Sequence, residues 1–272
     1  MKRIALITVS IILTLHVYAQ TNGDEYKMPK QSLPTDPANY RLSIDIQERD
    51  LNGTLLRQII DDGKIIELSR ISMNDNTFQL KDVSQTMVIS GQEQYTQIFN
   101  ELEELDFKIL GDNFTNLDFY KNCLPSQVDL VRMFIQDKVA FEAWGQMYLD
   151  SLEINVPFYP DFFQNQSADF EQSVNFTTQK LSITWLGYSK INGKDCMLVY
   201  FKSMYSPYIV DNDMVVVNGR SCFWGNIWIL PDTRQIKYAI MNEDIVSHTK
   251  FKANDFELQH NSQREVTYEK ID

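Results

Sequence analysis

The chain has 272 residues, of which 43% are hydrophobic and 23% are charged, and its formal net charge is −12. This composition is typical of a folded globular protein and excludes a disordered chain. The excess of carboxylates, without any dense run of Lys and Arg, excludes nucleic acid and anionic membrane surfaces as partners, because like charges repel. We interpret the acidity itself as a property that favours solubility.

The N-terminus has the pattern of a secretory signal peptide over residues 1–19. A short basic start precedes a mainly apolar run over residues 4–15, and Val17 and Ala19 provide the residues of a cleavage site. The run is shorter than a membrane-spanning helix requires. We therefore expect cleavage after Ala19, export to the bacterial periplasm or medium, no transmembrane segment in the mature chain, and a flexible leader over residues 20–39.

Strand signals begin after this leader. Apolar residues occupy every second position from Tyr40 to Ile46, and Asn52-Gly53 follows with the chemistry of a hairpin turn. Further strands are predicted over residues 55–60 and 64–73, and a looser pair of strands over residues 77–89.

The middle of the chain changes to a helical period. Apolar residues at spacings of three and four predict a first helix over residues 93–110. A second helix is predicted from Pro125 to about Leu152, and its wide apolar surface indicates that it is largely buried. Together these segments form a helical insertion at about residues 91–152.

The strand period returns near Glu171 and continues to the C-terminus. Trp224 and Trp228 share one face of a strand over residues 222–230, and the other face is also apolar, which is typical of a central strand that carries a helix on one side. Consecutive strands with short turns indicate antiparallel pairing. We predict a β-rich α+β fold, a large curved antiparallel sheet wrapping two central helices, most simply as a single domain over residues 40–272 rather than as two domains.

The C-terminal region resembles a known family. The run CFWGNIWILPDTRQI over residues 222–236 is similar to the W-I-D-x-x-T-x-x-I hairpin of the bacterial lipoprotein-carrier superfamily, the half-barrel proteins that sort outer-membrane lipoproteins. Residues 187–196 resemble the hairpin that precedes it there, so the resemblance covers about residues 180–250. It implies a half-barrel whose concave, aromatic-lined cavity holds acyl chains. The chain departs from the family in its leading strand hairpin and its longer helical middle.

Eight aromatic residues are the candidates for such a lining. Four of them fall in a short segment outside regular structure, where large apolar groups must be covered by something. This segment is expected either to plug the core at a sheet edge or to form a flap over an apolar cavity; the four tryptophans could equally be plain core residues. The predicted ligand-binding residues are Phe158, Tyr159, Phe162, Phe163, Trp144, Trp185, Trp224 and Trp228.

The sequence contains no motif for catalysis, metal binding or phosphate binding. The mature chain has only His248 and His260, without the spacing of a zinc site, a nucleophile elbow or a glycine-rich phosphate loop. The three cysteines leave a bridge between Cys196 and Cys222 open. We therefore expect no metal, no cofactor and no enzymatic activity.

Two functions from different classes follow from these patterns. The leading one is an exported soluble protein that binds or carries an apolar, acyl-type ligand, such as a lipid, in the aromatic-lined cavity of a half-barrel. The alternative is a non-enzymatic cell-envelope module with a filled core, which would act through an envelope protein partner. A hydrolase with two facing carboxylates is a third, weaker hypothesis.

Overall fold

The computed structural model describes residues 34–161, 167–170, 174–177, 180–211, 213–253 and 256–271. The predicted signal peptide, the first part of the leader, and Phe162 and Phe163 lie outside the described residues.

Thirteen strands in the described part of the chain form one antiparallel sheet, which is open rather than closed. The strands are β1 (Asn39–Asp50), β2 (Leu55–Ser72), β3 (Asp75–Ile89), β4 (Tyr95–Ile98), β5 (Asp106–Leu110), β6 (Ser167–Phe170), β7 (Val174–Thr177), β8 (Leu181–Ile191), β9 (Lys194–Ser203), β10 (Ser206–Asp211), β11 (Val215–Ile229), β12 (Ile236–Phe251) and β13 (Glu257–Ile271). Along the sheet they follow the order β4-β3-β2-β1-β13-β12-β11-β10-β7-β6. Three pairings lie off this path: β5 pairs with β3, β9 pairs with β11 on the same side as β10, and β8 pairs with β9. The prediction of a β-rich fold with a large half-barrel-like antiparallel sheet is confirmed.

The two ends of the chain meet in the middle of the sheet. Strand β1 pairs with β13 along its whole length, from Asn39 opposite Ile271 to Asp50 opposite His260, and pairs with β2 on its other side. The β1–β2 turn contains Gly53 at φ +83°, a left-handed conformation that glycine adopts without strain. One sheet therefore combines strands from both ends of the chain, as the sequence predicts.

One α-helix, α1 (Val128–Gln146), packs against one face of the sheet, which we call the inner face; the opposite face is the outer face. A 3-10 turn over Pro125–Gln127 leads into it, and the Gln127 amide oxygen accepts the Leu124 N–H at 3.0 Å. Proline suits this position because the first helical N–H groups have no partner within the helix. All but three residues of α1 are buried, which confirms the predicted largely buried helix, although its regular part ends at Gln146 rather than near Leu152.

The predicted helix over residues 93–110 is wrong. The segment instead contains strand β4, a 3-10 helix over Asn100–Glu104, and strand β5. Tyr95 and Ile98 are exposed on β4, whereas Phe99 and Leu102 are buried in the turn between the strands. The spacing of three and four arose from two short strands and a turn, each of which pairs with or packs against β3. The sheet therefore holds one main helix, not two.

The remaining short helices are 3-10 turns at Asn113–Thr115, Leu117–Tyr120 and Leu149–Ser151. Within the part of the chain that the structure describes, no helix combines the length and the apolar character needed to cross a membrane.

Candidate functional site

The predicted aromatic residues divide between the two faces of the sheet. On β11, Phe223, Ile227 and Ile229 point to the inner face and are at most 1% exposed. Trp224 and Trp228 occupy the alternate positions and therefore lie on the outer face, away from α1. They do not share a lining with Trp144, because the sheet separates them.

Trp144 of α1 fills the space between the helix and the sheet. Its ring stacks on Phe223 at 5.1 Å between centroids and lies 4.7 Å from the ring of Phe201. The neighbouring Phe141 stacks on Tyr268 of β13. These rings pack directly against one another, so Trp144 belongs to the core of the protein.

The aromatic segment after α1 runs along the edge of β8. Phe158 and Ile183 exchange two backbone hydrogen bonds of 2.8 Å, and the Asn155 N–H donates to the Trp185 carbonyl at 2.8 Å. The Phe158 ring lies 5.3 Å from the ring of Tyr148, which is buried. This segment, 154–160, which we call the edge segment, therefore covers the edge of β8 with three backbone hydrogen bonds and one ring contact.

Trp185 joins the edge segment to the core. It lies opposite Val199 of β9 on the inner face and packs against the hydrophobic core while remaining partly exposed. Its indole N–H donates to the Gly187 carbonyl at 3.0 Å, which fixes the orientation of the ring. Of the predicted residues, Phe158, Tyr159 and Trp185 thus all lie at the β8 edge.

The β8 edge also presents apolar side chains to solvent. The five exposed residues, three in the edge segment and two in β8, are 42–66% accessible. Exposed apolar residues that form a contiguous patch are a feature of binding surfaces. These residues are Ile154, Val156, Tyr159, Leu186 and Tyr188. Tyr159 is the one among them that the sequence predicts as a ligand-binding residue.

The other side of the inner face is built differently, because it contains buried ion pairs. The first group, which we call the neutral cluster, joins Glu67 and Arg70 of β2 to Lys138 and Glu142 of α1 with N···O distances of 2.7–3.0 Å. Each of these side chains is at most 2% exposed. Burial alone would raise the pKa of Glu142, but Arg70 and Lys138 lower it below its ordinary value. Two cations and two anions balance one another.

A second buried group, the acidic cluster, has more anions than cations. Arg264 of β13 pairs with Asp137 of α1 and, at 3.2 Å, with Glu243 of β12. The Ser221 hydroxyl donates to Glu243 at 2.5 Å. Burial raises the pKa of both Asp137 and Glu243, and Arg264 opposes this effect.

Asp61 of β2 adds a third carboxyl near Arg264. It is fully buried, and one of its oxygens accepts a hydrogen bond from the Gln85 amide at 2.9 Å. Burial raises the pKa of Asp61 to about 6, while Gln85 and the charge of Arg264 act in the opposite direction. The acidic cluster therefore holds three carboxyls around one guanidinium.

These clusters fix α1 to the inner face. The helix contributes Asp137, Lys138 and Glu142 to the clusters. A shift of α1 along the sheet would leave these buried charges without their partners, which is strongly destabilising. Sequence reasoning missed both clusters. Lys138 and Glu142 stand four residues apart on the helix, but their sheet partners are defined only by strand register.

The cysteines and the acidic residues offer no other site. Cys123, Cys196 and Cys222 all lie in described residues and are free thiols, so the bridge between Cys196 and Cys222 that the sequence left open does not form. Among the described residues, no group of three or more His, Cys, Asp or Glu side chains is arranged to hold a metal ion.

No protein-family model and no curated protein matches the sequence. Among solved structures, the chain is similar to one that describes lipid–protein interactions in lipovitellin, with 10% identity and a TM-score of 0.38 over 89% of this chain. The chain spans about a quarter (26%) of that lipovitellin chain. A structure of Salmonella typhi OmpF in complex with daunomycin follows with 8% identity and a TM-score of 0.16, covering 88% of this chain and 98% of that one. At these values the site has to be interpreted from its own residues.

Proposed function

We propose that this is an exported protein that binds an apolar, acyl-type ligand at the β8 edge of the half-barrel and catalyses no reaction. The observation that carries the proposal is the edge segment: it joins an exposed apolar surface to the core, and three backbone hydrogen bonds and one ring contact hold it to β8. The expected signal peptide supports export.

The difference in attachment determines where a ligand can enter. A backbone hydrogen bond contributes a net stabilisation of about 0.5–1.5 kcal/mol, so the edge segment is held by a few kcal/mol. Separating α1 from the sheet would instead expose the sixteen buried residues of the helix, and each large apolar side chain among them contributes about 1.5–3 kcal/mol by its burial. A ligand therefore reaches the interior by displacing the edge segment rather than the helix.

The chemistry of this edge favours an acyl chain. Burial of roughly 300 Å² of apolar surface would contribute about 8 kcal/mol before the costs of ordering, which suffices for micromolar binding only if those costs are small. A ligand pressed against Phe158 and Trp185 gains this burial without having to pair a charge. The resemblance of residues 180–250 to lipoprotein carriers supports the same chemistry.

The experiment is native mass spectrometry of the mature chain, residues 20–272, with and without added palmitate. We expect a palmitate adduct that is lost on denaturation. In a fluorescence titration, Trp185→Ala is expected to weaken palmitate binding at least tenfold, because it removes an inner-face ring at the site. Trp228→Ala is the matched control: it removes the same residue type from the outer face and should leave the affinity unchanged.

The proposal fails if excess palmitate gives no adduct, or if both tryptophan variants bind palmitate equally well. Thermal unfolding of each variant separates lost binding from lost folding, and Trp185→Phe should restore most of the affinity if a ring is what the ligand needs.

A filled-core envelope module is the second candidate function. The packing of Trp144 against Phe201 and Phe223 favours it, because α1 occupies the inner face where a cavity was expected. A chain that takes up no palmitate but forms a stable complex with an envelope protein would support this function instead.

A further inference from the structure

The outer face of the sheet carries an aromatic surface that the acyl-ligand proposal does not use. Trp224 and Trp228 of β11 are joined there by Tyr200 of β9 and Tyr238 of β12. All four side chains are partly exposed. We call this set the outer aromatic cluster.

Strand register places these rings next to one another. Trp228 lies opposite Tyr238 on one side and Leu198 on the other, and its ring is 5.6 Å from that of Tyr238 at an angle of 53°. Tyr200 lies opposite Asn226, between the two tryptophans in the direction of β11. The cluster therefore extends across three adjacent strands.

The core does not require these rings. The inner-face neighbours Phe223, Ile227 and Ile229 complete the packing against α1, and they are almost fully buried. A sheet face turned to solvent is ordinarily polar. Tryptophan and tyrosine on such a face supply rigid, amphipathic contact area of the kind that binding surfaces use.

Polar groups alternate with the rings. Asn226 separates the two tryptophans on β11, and Asn242 lies opposite Trp224. On the β13 side, Glu265 lies opposite Asn242 and Glu269 opposite Tyr238. The cluster thus combines apolar ring faces with amide donors and carboxylate acceptors.

The charge of this surface selects among partners. Glu265 and Glu269 flank the cluster on the β13 side, and Lys202 lies opposite Trp224 on the β9 side. The charges next to the rings are therefore mixed, and the net charge of −12 disfavours anionic lipid surfaces and nucleic acids. A neutral sugar fits better, because its C–H face packs on an aromatic ring while its hydroxyl groups donate to carboxylates and exchange hydrogen bonds with amides.

We propose that the outer aromatic cluster binds a neutral glycan. Trp224 and Trp228 are four residues apart on one strand, a separation of about 13 Å at the usual rise of a β-strand. The surface therefore spans more than one sugar ring and should prefer an oligosaccharide to a monosaccharide. This site is on the face opposite α1 and is independent of the acyl-ligand site.

The test is isothermal titration of the mature chain with cellohexaose, chitohexaose and mannohexaose, and with glucose as the monosaccharide. We expect at least one hexasaccharide to bind, with glucose at least tenfold weaker. Trp224→Ala and Trp228→Ala should each weaken hexasaccharide binding at least tenfold. Tyr95→Ala is the control, since it removes an exposed aromatic ring from β4, which belongs to neither proposed site.

The proposal is overturned if none of the hexasaccharides binds at millimolar concentration, or if binding is indifferent to both tryptophan substitutions. Binding to phosphatidylcholine vesicles that Trp228→Ala abolishes, without glycan binding, would assign the surface to lipid and also overturn it. Palmitate uptake by the same variants is measured in parallel. A failure of glycan binding with palmitate uptake intact rejects this inference alone, and the converse rejects only the acyl-ligand proposal.

Discussion

Two parts of the molecule, helix α1 and the edge segment, are attached to the sheet by different interactions. Around α1, two buried clusters of acidic and basic side chains connect the helix to β2, β12 and β13. At the β8 edge, segment 154–160 is attached through backbone hydrogen bonds and the contact of Phe158 with Tyr148.

The difference separates a fixed part of the molecule from a part that can open. Buried ion pairs add little net stability over apolar packing, but they fix the position of α1, because a displaced helix would leave buried charges without their partners. Opening the edge segment breaks three backbone hydrogen bonds, whose groups water can satisfy, and exposes apolar surface that an apolar ligand can cover again. The buried ion pairs thus fix the position of α1, whereas the hydrogen-bonded apolar edge segment is the part that we propose to open.

The largest loss of stability is expected from removing the cation of the acidic cluster. Replacing Arg264 with Leu leaves Asp137 and Glu243 buried without a cation, so the free energy of unfolding should fall by about 3–5 kcal/mol. Urea denaturation measures this change. The matched control is Arg41→Leu, which removes a surface ion pair with Asp62 and should change the free energy of unfolding by no more than about 1 kcal/mol. Equal losses in the two variants would contradict the account.

The next prediction compares the loss of stability on removing a core ring, Trp144, with the loss on removing an edge ring, Phe158. Trp144→Ala should destabilise the protein by about 3–5 kcal/mol, as expected for a fully buried large ring. Phe158→Ala should lower the free energy of unfolding by only about 1–2 kcal/mol, because its ring is partly exposed and contacts the core from one side. The same urea titration measures both. A loss at Phe158 as large as that at Trp144 would mean that the edge is part of the fixed core.

A smaller effect is expected from pH. Because the pKa of Asp61 is raised by burial to about 6 in the folded state, the folded state binds this proton more tightly than the unfolded state does. The contribution of Asp61 to stability is therefore greatest below its unfolded pKa and is lost as pH rises through about 6. When the pH is lowered from about 7.5 to about 5, protonation of Asp61 should raise the free energy of unfolding by roughly 1–1.5 kcal/mol.

Asp61→Asn tests this assignment. The variant should be more stable than the parent near neutral pH and should show a weaker rise in stability on acidification, in thermal unfolding from about pH 7.5 to pH 5. Asp62→Asn is the control, because that neighbour lies on the outer face and pairs with Arg41. If the Asp61 variant kept the pH dependence of the parent, Asp61 would not be the group that titrates.

Much of the fold could be predicted from local patterns. The alternation from Tyr40, the Asn52-Gly53 turn and the two apolar faces of residues 222–230 each depend on neighbours in sequence, and each is found in the structure. The helix at Val128–Gln146 has a long, uninterrupted period, so its identity was clear although its end was misplaced by several residues.

The failures have a common physical cause. Periodicity over residues 93–110 could not reveal that β4 and β5 each pair with β3, a long-range interaction that overrides local spacing. The pairing of Asp137 with Arg264 spans 127 residues and depends on strand register, which composition does not encode. The separation of Trp144 from Trp224 likewise appears only once the inner face is known.

Amide hydrogen exchange of the mature chain, with and without palmitate, tests the central claim most directly. In the free protein, the Asn155, Phe158 and Ile183 amides should exchange much faster than those of α1. Palmitate should slow the exchange of these three amides and leave that of α1 unchanged. Exchange at the edge as slow as in α1, or no response of these amides to palmitate, would contradict an edge that opens to take up an acyl ligand.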